Sequence, residues 1–209
     1  MAIELEYLRH LRRLVSSFDN DDGEALIGIV GKARTRIQEL VAANDNEKRV
    51  DLFSGKYVFV HLGGYDYSLI DAADYGMISQ FRWELTKHET HRYARGIDAN
   101  GHYTMMHRLL MDAKKGQLVD HINGKCTDNR RSNLRFATLS QNAMNKKTSK
   151  QNTSGHKGVH WNKAQSKWIA RIKVKGVSMY LGQYDDVLQA AEAYSKAAKE
   201  HHGEFARLS

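Results

Sequence analysis

Cysteine, proline and long apolar runs are scarce in this sequence, which has one cysteine and no proline among its 209 residues. The lone Cys126 excludes an internal disulfide and any zinc site made of four cysteines. No apolar run approaches the roughly 20 residues that a membrane helix needs, and no basic-then-apolar leader opens the chain. We therefore expect a cytoplasmic protein that does not enter a membrane.

Acidic residues are missing from one long segment. Between Asn129 and Tyr184 there is no Asp or Glu, whereas 12 of the 32 Lys and Arg residues lie there. The rest of the chain holds the other 20 basic residues and all 24 acidic ones, which gives it a net charge of −4. Solvated surfaces usually mix the two signs. An acid-free basic segment is typical of a surface that faces phosphates, so nucleic acid is the expected partner.

The length and the 41% of apolar residues suffice for two small modules. Residues 1–48 are predicted to form a helical hairpin, because apolar residues recur at helical spacing on both sides of "DNDDG". This region can dock on the core, self-associate or bind a protein partner. It ends in "AANDNEK", whose composition is typical of a linker.

Strand-like segments occupy residues 56–105. They are "YVFVHL", "YSLI", "FRWEL", "RYARGI" and "HYTMM", and Asn100-Gly101 between the last two predicts a hairpin. Short helices are predicted at "MHRLLMDA" and at "LSQNAMNKK", the second with Ser140 as its N-cap.

Residues 119–133, "VDHINGKCTDNRRSN", are unusually rich in Asp, Asn and Gly. Such a composition is typical of a polar surface turn, and that interpretation stands beside a functional one. Asp120 offers a hard carboxylate oxygen, Asn142 on the following helix offers an amide oxygen, and the imidazole of His121 can accept a proton. Together these groups would suit hydrolysis of a phosphate ester with a magnesium ion.

The stretch "MHRLLMDAKKGQLVDHINGKCTDNRRSNLRFATLSQNAMNKK" strongly resembles the HNH homing endonucleases, especially those of bacteriophages and their introns. The resemblance spans Leu69–Lys147, with a specific core in "VDHING…DNRRSNLR…SQN". It implies a ββα-metal nuclease domain over residues 56–147 that cleaves DNA phosphodiesters. It also implies a phage-encoded protein that acts in a bacterial host cell.

By position, the resemblance implies that His121 is the general base and that Asn133 is the catalytic-site residue that orders the loop. It places the metal on Asp120 and Asn142, with Mg²⁺, or alternatively Mn²⁺, as the cofactor. Lys146 stands where some relatives have a further His ligand, which argues against a three-His zinc or nickel site.

Alternatives remain open for the asparagines. Asn129 is an alternative to Asn133, and Asn145 is a weaker alternative to Asn142. Asn133 would otherwise only cap the strand that follows it.

Residues 156–209 are predicted to form three strands and a helix, from "HKGVHWN", "KWIARIKVK", "VSMYLGQY" and "DDVLQAAEAYSKAAKEHHG". One side of the second strand is apolar and should be covered by the helix. The other side is cationic and is suited to the DNA major groove. The apolar side holds Trp168, Ala170, Ile172 and Val174; the cationic side holds Lys167, Ile169, Arg171, Lys173 and Lys175.

This module resembles the Apetala-two or ethylene-response-factor DNA-binding domains, on "KGVHW…KWIARIKVKG…YLGQYDDVLQAAEAYSKAAKEHHGEFA". His160 and Arg171 stand where plant relatives often have Arg and Glu, so the plant target sequence does not transfer. Residues 148–155 are expected to be a basic linker. From both resemblances and the charge pattern, the expected DNA-contacting residues are Arg130, Arg131, Lys146, Lys147, Lys157, Trp161, Lys167, Arg171 and Lys173.

The sequence therefore predicts an α+β protein with an N-terminal helical hairpin, a ββα-metal module and a C-terminal three-stranded sheet packed on one helix. The predicted function is site-specific, metal-dependent cleavage of double-stranded DNA. A transcription regulator that keeps the nuclease fold only for binding is the alternative, and a nucleic-acid packaging protein is a third hypothesis.

Overall fold

The computed structural model describes residues 52–53, 56–64, 66–86, 92–149 and 151–208. The predicted helical hairpin of residues 1–48 lies outside the described residues. The described part is a mixed α and β structure with several small sheets and few helices. It divides into two compact units. One holds the residues up to Ala113 together with Lys125–Leu134, and the other holds Lys114–Gly124 and the residues from Arg135 onward.

The first unit contains two three-stranded antiparallel sheets. Its elements confirm the predicted strand segments, the hairpin and the first short helix. One sheet consists of β1 (Leu52–Phe53), β2 (Tyr57–His61) and β3 (Tyr67–Asp71), and the other of β4 (Arg82–Leu85), β5 (Ala94–Ile97) and β6 (Tyr103–Met105). Helix α1 (Tyr75–Ile78) follows β3, and α2 (Met106–Leu110) follows β6.

Strands β2 and β3 form the centre of the first unit. The first four residues of each strand are buried, including Phe59, Leu69 and Ile70. Their near-continuous apolar sequence is typical of strands that are covered on both faces. The other sheet is anchored by Trp83, whose indole N–H donates to the carbonyl of Ile78 at 2.7 Å.

The second unit holds β7 (Leu118–His121) and, from Arg135 onward, its partner strand β8 (Leu134–Ala137), and α3 (Leu139–Met144) follows at once. The N-cap of α3 is Thr138, so the prediction of Ser140 was wrong. Thr138 Oγ1 accepts from the Gln141 N–H at 3.2 Å, and Gln141 Oε1 accepts from the Thr138 N–H at 2.8 Å. This reciprocal capping box needs a Gln or Glu three residues after the cap, which Thr138 has.

The C-terminal part of the second unit is an antiparallel sheet of β9 (Val159–Asn162), β10 (Lys167–Val174) and β11 (Val177–Tyr184), with β10 in the centre. Helix α4 (Val187–His202) packs on one side of it, as predicted. The core cluster comprises Val159, Ala170 and Ile172 of the sheet and Ala190, Tyr194, Ala197 and Ala198 of the helix.

Ile169 departs from the expected cationic side of β10. It is only 3% exposed, whereas Arg171 and Lys173 on the same side are exposed. Strand alternation predicts the side on which a residue lies, but not whether that side is covered there. The open cationic surface therefore begins at Arg171. None of the helices among the described residues is long and apolar enough to cross a bilayer.

Candidate functional site

Strand β7 carries Asp120 and His121 at its C-terminal end, where they are 6% and 4% exposed. A tight turn follows, in which the Gly124 N–H donates to the His121 carbonyl at 2.8 Å. Gly124 has a φ of +69°, and a Cβ there would overlap the Arg207 guanidinium. The positive φ favours a glycine where the chain reverses after the Asp-His pair.

The two oxygens of the Asp120 carboxylate have different hydrogen-bond partners. Arg135 donates from Nε at 3.0 Å and from Nη2 at 2.9 Å, and both bonds go to Oδ2. Asn145 Nδ2 lies 3.0 Å from each carboxylate oxygen. Among the described residues, Oδ1 thus receives a hydrogen bond from Asn145 alone, and it lacks a guanidinium partner.

Arg135 is itself fixed from two further directions. Its Nη1 donates to the Glu204 carbonyl at 2.7 Å, and its guanidinium carbon lies 3.7 Å from the centroid of the Phe205 ring. The Arg135 side chain is only 11% exposed. The ion pair with Asp120 is therefore nearly closed to water, where charge-assisted hydrogen bonds are strong.

Asn145, and not Asn142, is the asparagine that the structure places on Asp120. Its Nδ2 also donates to the His121 carbonyl at 2.8 Å, so one amide bridges both members of the Asp-His pair. Asn142 lies half-buried on α3, and its side chain makes no hydrogen bond to any described residue. Sequence spacing favours Asn142 over Asn145 only weakly, because it does not show which amide contacts Asp120.

Lys157, an expected DNA contact, instead closes the end of α3. Its ammonium donates to the carbonyl of Met144, the last residue of α3, and to the carbonyl of Lys146 just after it. Burial, followed by the nearby charge of Arg207, lowers the pKa of Lys157 below its ordinary value. Lys157 therefore stabilises the turn that contains Asn145.

The second half of the polar loop belongs to the first unit, where it runs parallel to β3. Backbone bonds join Leu69 to Thr127 and Asn129 at 2.8 and 2.7 Å. Asn129 Nδ2 donates to Ser68 Oγ at 2.7 Å, whereas Asn133 Nδ2 donates to the Asp128 carbonyl at 2.7 Å. Both asparagines thus hold the loop in place, and the catalytic assignment of Asn133 stays a prediction.

Two residues of this loop that were predicted to contact DNA form ion pairs with carboxylates of the protein. Arg130 donates from Nε and Nη2 to the two oxygens of Asp128, each at 2.9 Å, and is 8% exposed. Arg131 makes three hydrogen bonds to Asp74, between 2.7 and 3.0 Å. Hydrogen bonding to Asp74 also raises the pKa of Arg131. Both guanidinium groups are thus tied to the protein itself.

The open cationic side of the C-terminal sheet contains an aromatic residue that sequence analysis missed. Tyr180 lies opposite Arg171 in the β10–β11 register and is 56% exposed, and Ser178 lies opposite Lys173. The strand alternation of "VSMYLGQY" contains no sign of this pairing, because a shift in register precedes Arg171. Arg171 and Lys173 make no ion pair with any described residue.

The remaining expected DNA contacts lie elsewhere in the second unit. Trp161 pairs with Trp168, at 5.0 Å between ring centroids, and so lies on the helix side of the sheet. Lys167 is bound by Asp185. Lys146 and Lys147 are exposed just after α3.

Two curated relatives are similar to this chain. Protein 3.8 of Escherichia phage T7 is 36% identical over 94 residues, which are 45% of this chain and 77% of the relative. An uncharacterized HNH endonuclease, L560 of Acanthamoeba polyphaga mimivirus, is 28% identical over 142 residues, or 67% of this chain and 73% of the relative. No protein-family model and no solved structure matches the chain. The distant mimivirus relative is consistent with a nuclease, and by its similarity to the phage protein this chain belongs to the family of Protein 3.8 of Escherichia phage T7.

Proposed function

We propose that this chain is a site-specific, metal-dependent endonuclease that hydrolyses phosphodiester bonds of double-stranded DNA, as a phage homing endonuclease does. The observation that carries the proposal is the Asp120-His121 pair, fixed at the end of β7 by Arg135 and Asn145. The mimivirus relative, which is named an HNH endonuclease, supports a nuclease, and the T7 relative supports a phage setting.

The donor set fits a hard divalent cation that takes few protein ligands. The described residues contain no group of three or more His, Cys, Asp or Glu side chains suited to a metal. Mg²⁺ is typically held by one or two carboxylates together with water and substrate phosphate, so a single carboxylate suffices. Asp120 Oδ1 and the side-chain amide oxygen of Asn142 are the proposed ligands. The bound ion, Mg²⁺ or Mn²⁺, would neutralise charge on the phosphate and the leaving oxygen.

In the proposed reaction, His121 takes a proton from the attacking water. The water oxygen forms a bond to phosphorus, a P–O bond to the sugar breaks, and the leaving oxygen is protonated by solvent. Asn145 donates a hydrogen bond to the backbone carbonyl of His121. This bond fixes the backbone position from which the imidazole side chain extends. General-base assistance of this kind contributes about 10²–10⁴-fold to a rate.

The proposed DNA-contacting surface is the exposed cationic part of the second unit. It consists of Arg171, Lys173 and Tyr180 on the sheet, with Lys146 and Lys147 after α3. Positive side chains neutralise phosphates, and a tyrosine adds a ring and a hydroxyl for sugar or base contacts. Arg130, Arg131 and Lys157 are left out, because their donors serve contacts within the protein.

A non-catalytic DNA-binding regulator is the second candidate, and one observation favours it. Asp120 and His121 are both nearly buried, and Asp120 forms an ion pair with the buried side chain of Arg135. A purely structural role for the pair would give the same contacts. Cleavage separates the two functions, since a regulator would bind the same DNA and leave it intact.

The test is a digestion of phage and bacterial genomic libraries by the full-length protein, followed by sequencing of the cut ends. The proposal predicts discrete cut sites with Mg²⁺ or Mn²⁺, and none in chelator. Binding without any cut under both conditions would favour the regulator.

A further inference from the structure

The C-terminal segment Glu204–Arg207 lies against the candidate nuclease site at two points. At the first, the Glu204 carbonyl and the Phe205 ring contact the guanidinium of Arg135, which in turn holds Asp120. At the second, Arg207 Nη1 donates to the Asn123 carbonyl at 3.3 Å, in the turn that follows His121.

The contacts on Arg135 are arranged so that the segment determines its position. The Nε and Nη2 edge of the guanidinium is used by Asp120, and the Nη1 end by the Glu204 carbonyl. The face of the guanidinium lies on Phe205, which is only 6% exposed. Asp120 meets one edge of a planar group whose other end and face belong to the C-terminal segment.

We infer that Glu204–Arg207 is a positioning element of the nuclease site, which acts on Asp120 through Arg135. The inference rests on the proposed function. Outer partners that orient a metal-binding carboxylate typically change metal affinity or activity by about 10–100-fold when they are altered. The segment follows α4 directly, so the helix that supports the cationic sheet also leads into the support of the catalytic carboxylate.

The first test uses Phe205→Ala in the full-length protein, with Leu208→Ala as the matched control. Leu208 is an exposed apolar residue of the same tail. The kcat and KM for DNA cleavage are measured together with Mn²⁺ binding by calorimetry. We expect Phe205→Ala to lower kcat by about 10-fold or more and to weaken Mn²⁺ binding, with KM unchanged. Leu208→Ala should match the parent.

A double-mutant cycle shows whether Phe205 acts through Arg135. Arg135→Lys keeps the charge but loses the planar group that spans Asp120 and Glu204. If the segment works through this guanidinium, adding Phe205→Ala to Arg135→Lys should lower kcat little further. Fully additive losses, or parent-like kcat and Mn²⁺ affinity in Phe205→Ala, would overturn the inference.

Two further variants keep the test decisive. If Phe205→Ala does not fold, Phe205→Leu preserves an apolar side chain and removes the aromatic face, and we expect it to lower kcat in the same direction. If Asp120→Ala and His121→Ala both cleave like the parent, the proposed active site is wrong. If those two variants are inactive while the Phe205 variants are parent-like, only the inference about the segment is wrong.

Discussion

Two aspartates in the same polar loop, Asp120 and Asp128, are both bound by arginines, but in different ways. Arg130 takes both oxygens of Asp128, which is fully buried in the first unit. Arg135 takes only Oδ2 of Asp120, in the second unit. One carboxylate is therefore closed by its arginine, and the other keeps an oxygen that no guanidinium occupies.

This difference suits Asp128 to a structural role and Asp120 to the functional role proposed for it. Asp128 and Arg130 are two residues apart and form a bidentate ion pair that is buried against Tyr57. This pair fixes the local path of the chain. A one-sided pair orients the carboxylate and leaves a lone pair on Oδ1 for another ligand. Similar sequence composition around the two aspartates thus conceals two different hydrogen-bonding arrangements.

The largest expected effect concerns His121, the neighbour of the one-sided aspartate. His121→Ala should lower the cleavage rate by about 10²–10⁴-fold, because the proposed general base is lost. DNA affinity should remain within a few-fold of the parent. Single-turnover kinetics and a binding titration on the same duplex measure both, and a parent-like rate would rule out His121 as the base.

Loss of the closed pair should mainly affect folding. Asp128→Ala leaves Arg130 buried without its partner, and removal of one member of a buried pair typically costs about 3–5 kcal/mol. Urea denaturation should show this as a lower free energy of unfolding. A variant as stable as the parent would contradict the structural role of Asp128.

A smaller effect on the cleavage rate is expected for a substitution of Asn145, which contacts Asp120. Asn145→Ala removes the amide that bridges Asp120 and the His121 carbonyl, so we expect the cleavage rate to fall by about 10–100-fold. The control is Ser140→Ala, at an exposed position of α3, the helix that ends just before Asn145. Equal rates for the two variants would show that Asn145 does not position the pair.

The smallest predicted effect concerns the cationic sheet, which contains no aspartate. Arg171→Ala and Lys173→Ala should each reduce the salt dependence of DNA binding by up to ~0.9 in log–log slope per lost phosphate contact. Lys199→Ala, exposed on α4, should leave the slope unchanged. If the salt-dependence slope is unchanged in all three variants, the DNA binds to a surface other than this sheet.

Local patterns predicted the fold elements well. Strand-like segments between turn residues identified β2–β6 and β9–β11, and the stripe on α4 correctly indicated its contact with the sheet. The N-cap at Thr138 was missed because Ser140 satisfies the composition rule without the partner Gln at the required spacing. These features depend on neighbours within a few residues, so the sequence contains them.

The pairing of charges could not be predicted in this way. Arg131 meets Asp74 from 57 residues away, and Arg135 meets Asp120 from 15 residues away. The long acid-free segment suggested that its arginines were available to DNA, yet three of them are neutralised by acids outside it. Charge along a sequence indicates a partner class, whereas only the fold shows which charges remain exposed.

The most direct test of the difference between the two carboxylates is a paired measurement on Asp120→Asn and Asp128→Asn. Each variant is examined by urea denaturation and by single-turnover cleavage of a DNA that the parent cuts, with Mg²⁺ and with chelator. We expect both variants to lose stability, because each breaks a buried ion pair. We predict that the folded fraction of Asp120→Asn does not cleave, whereas the folded fraction of Asp128→Asn keeps metal-dependent cleavage. A folded Asp120→Asn that cleaves at the parent rate would contradict the functional role of Asp120.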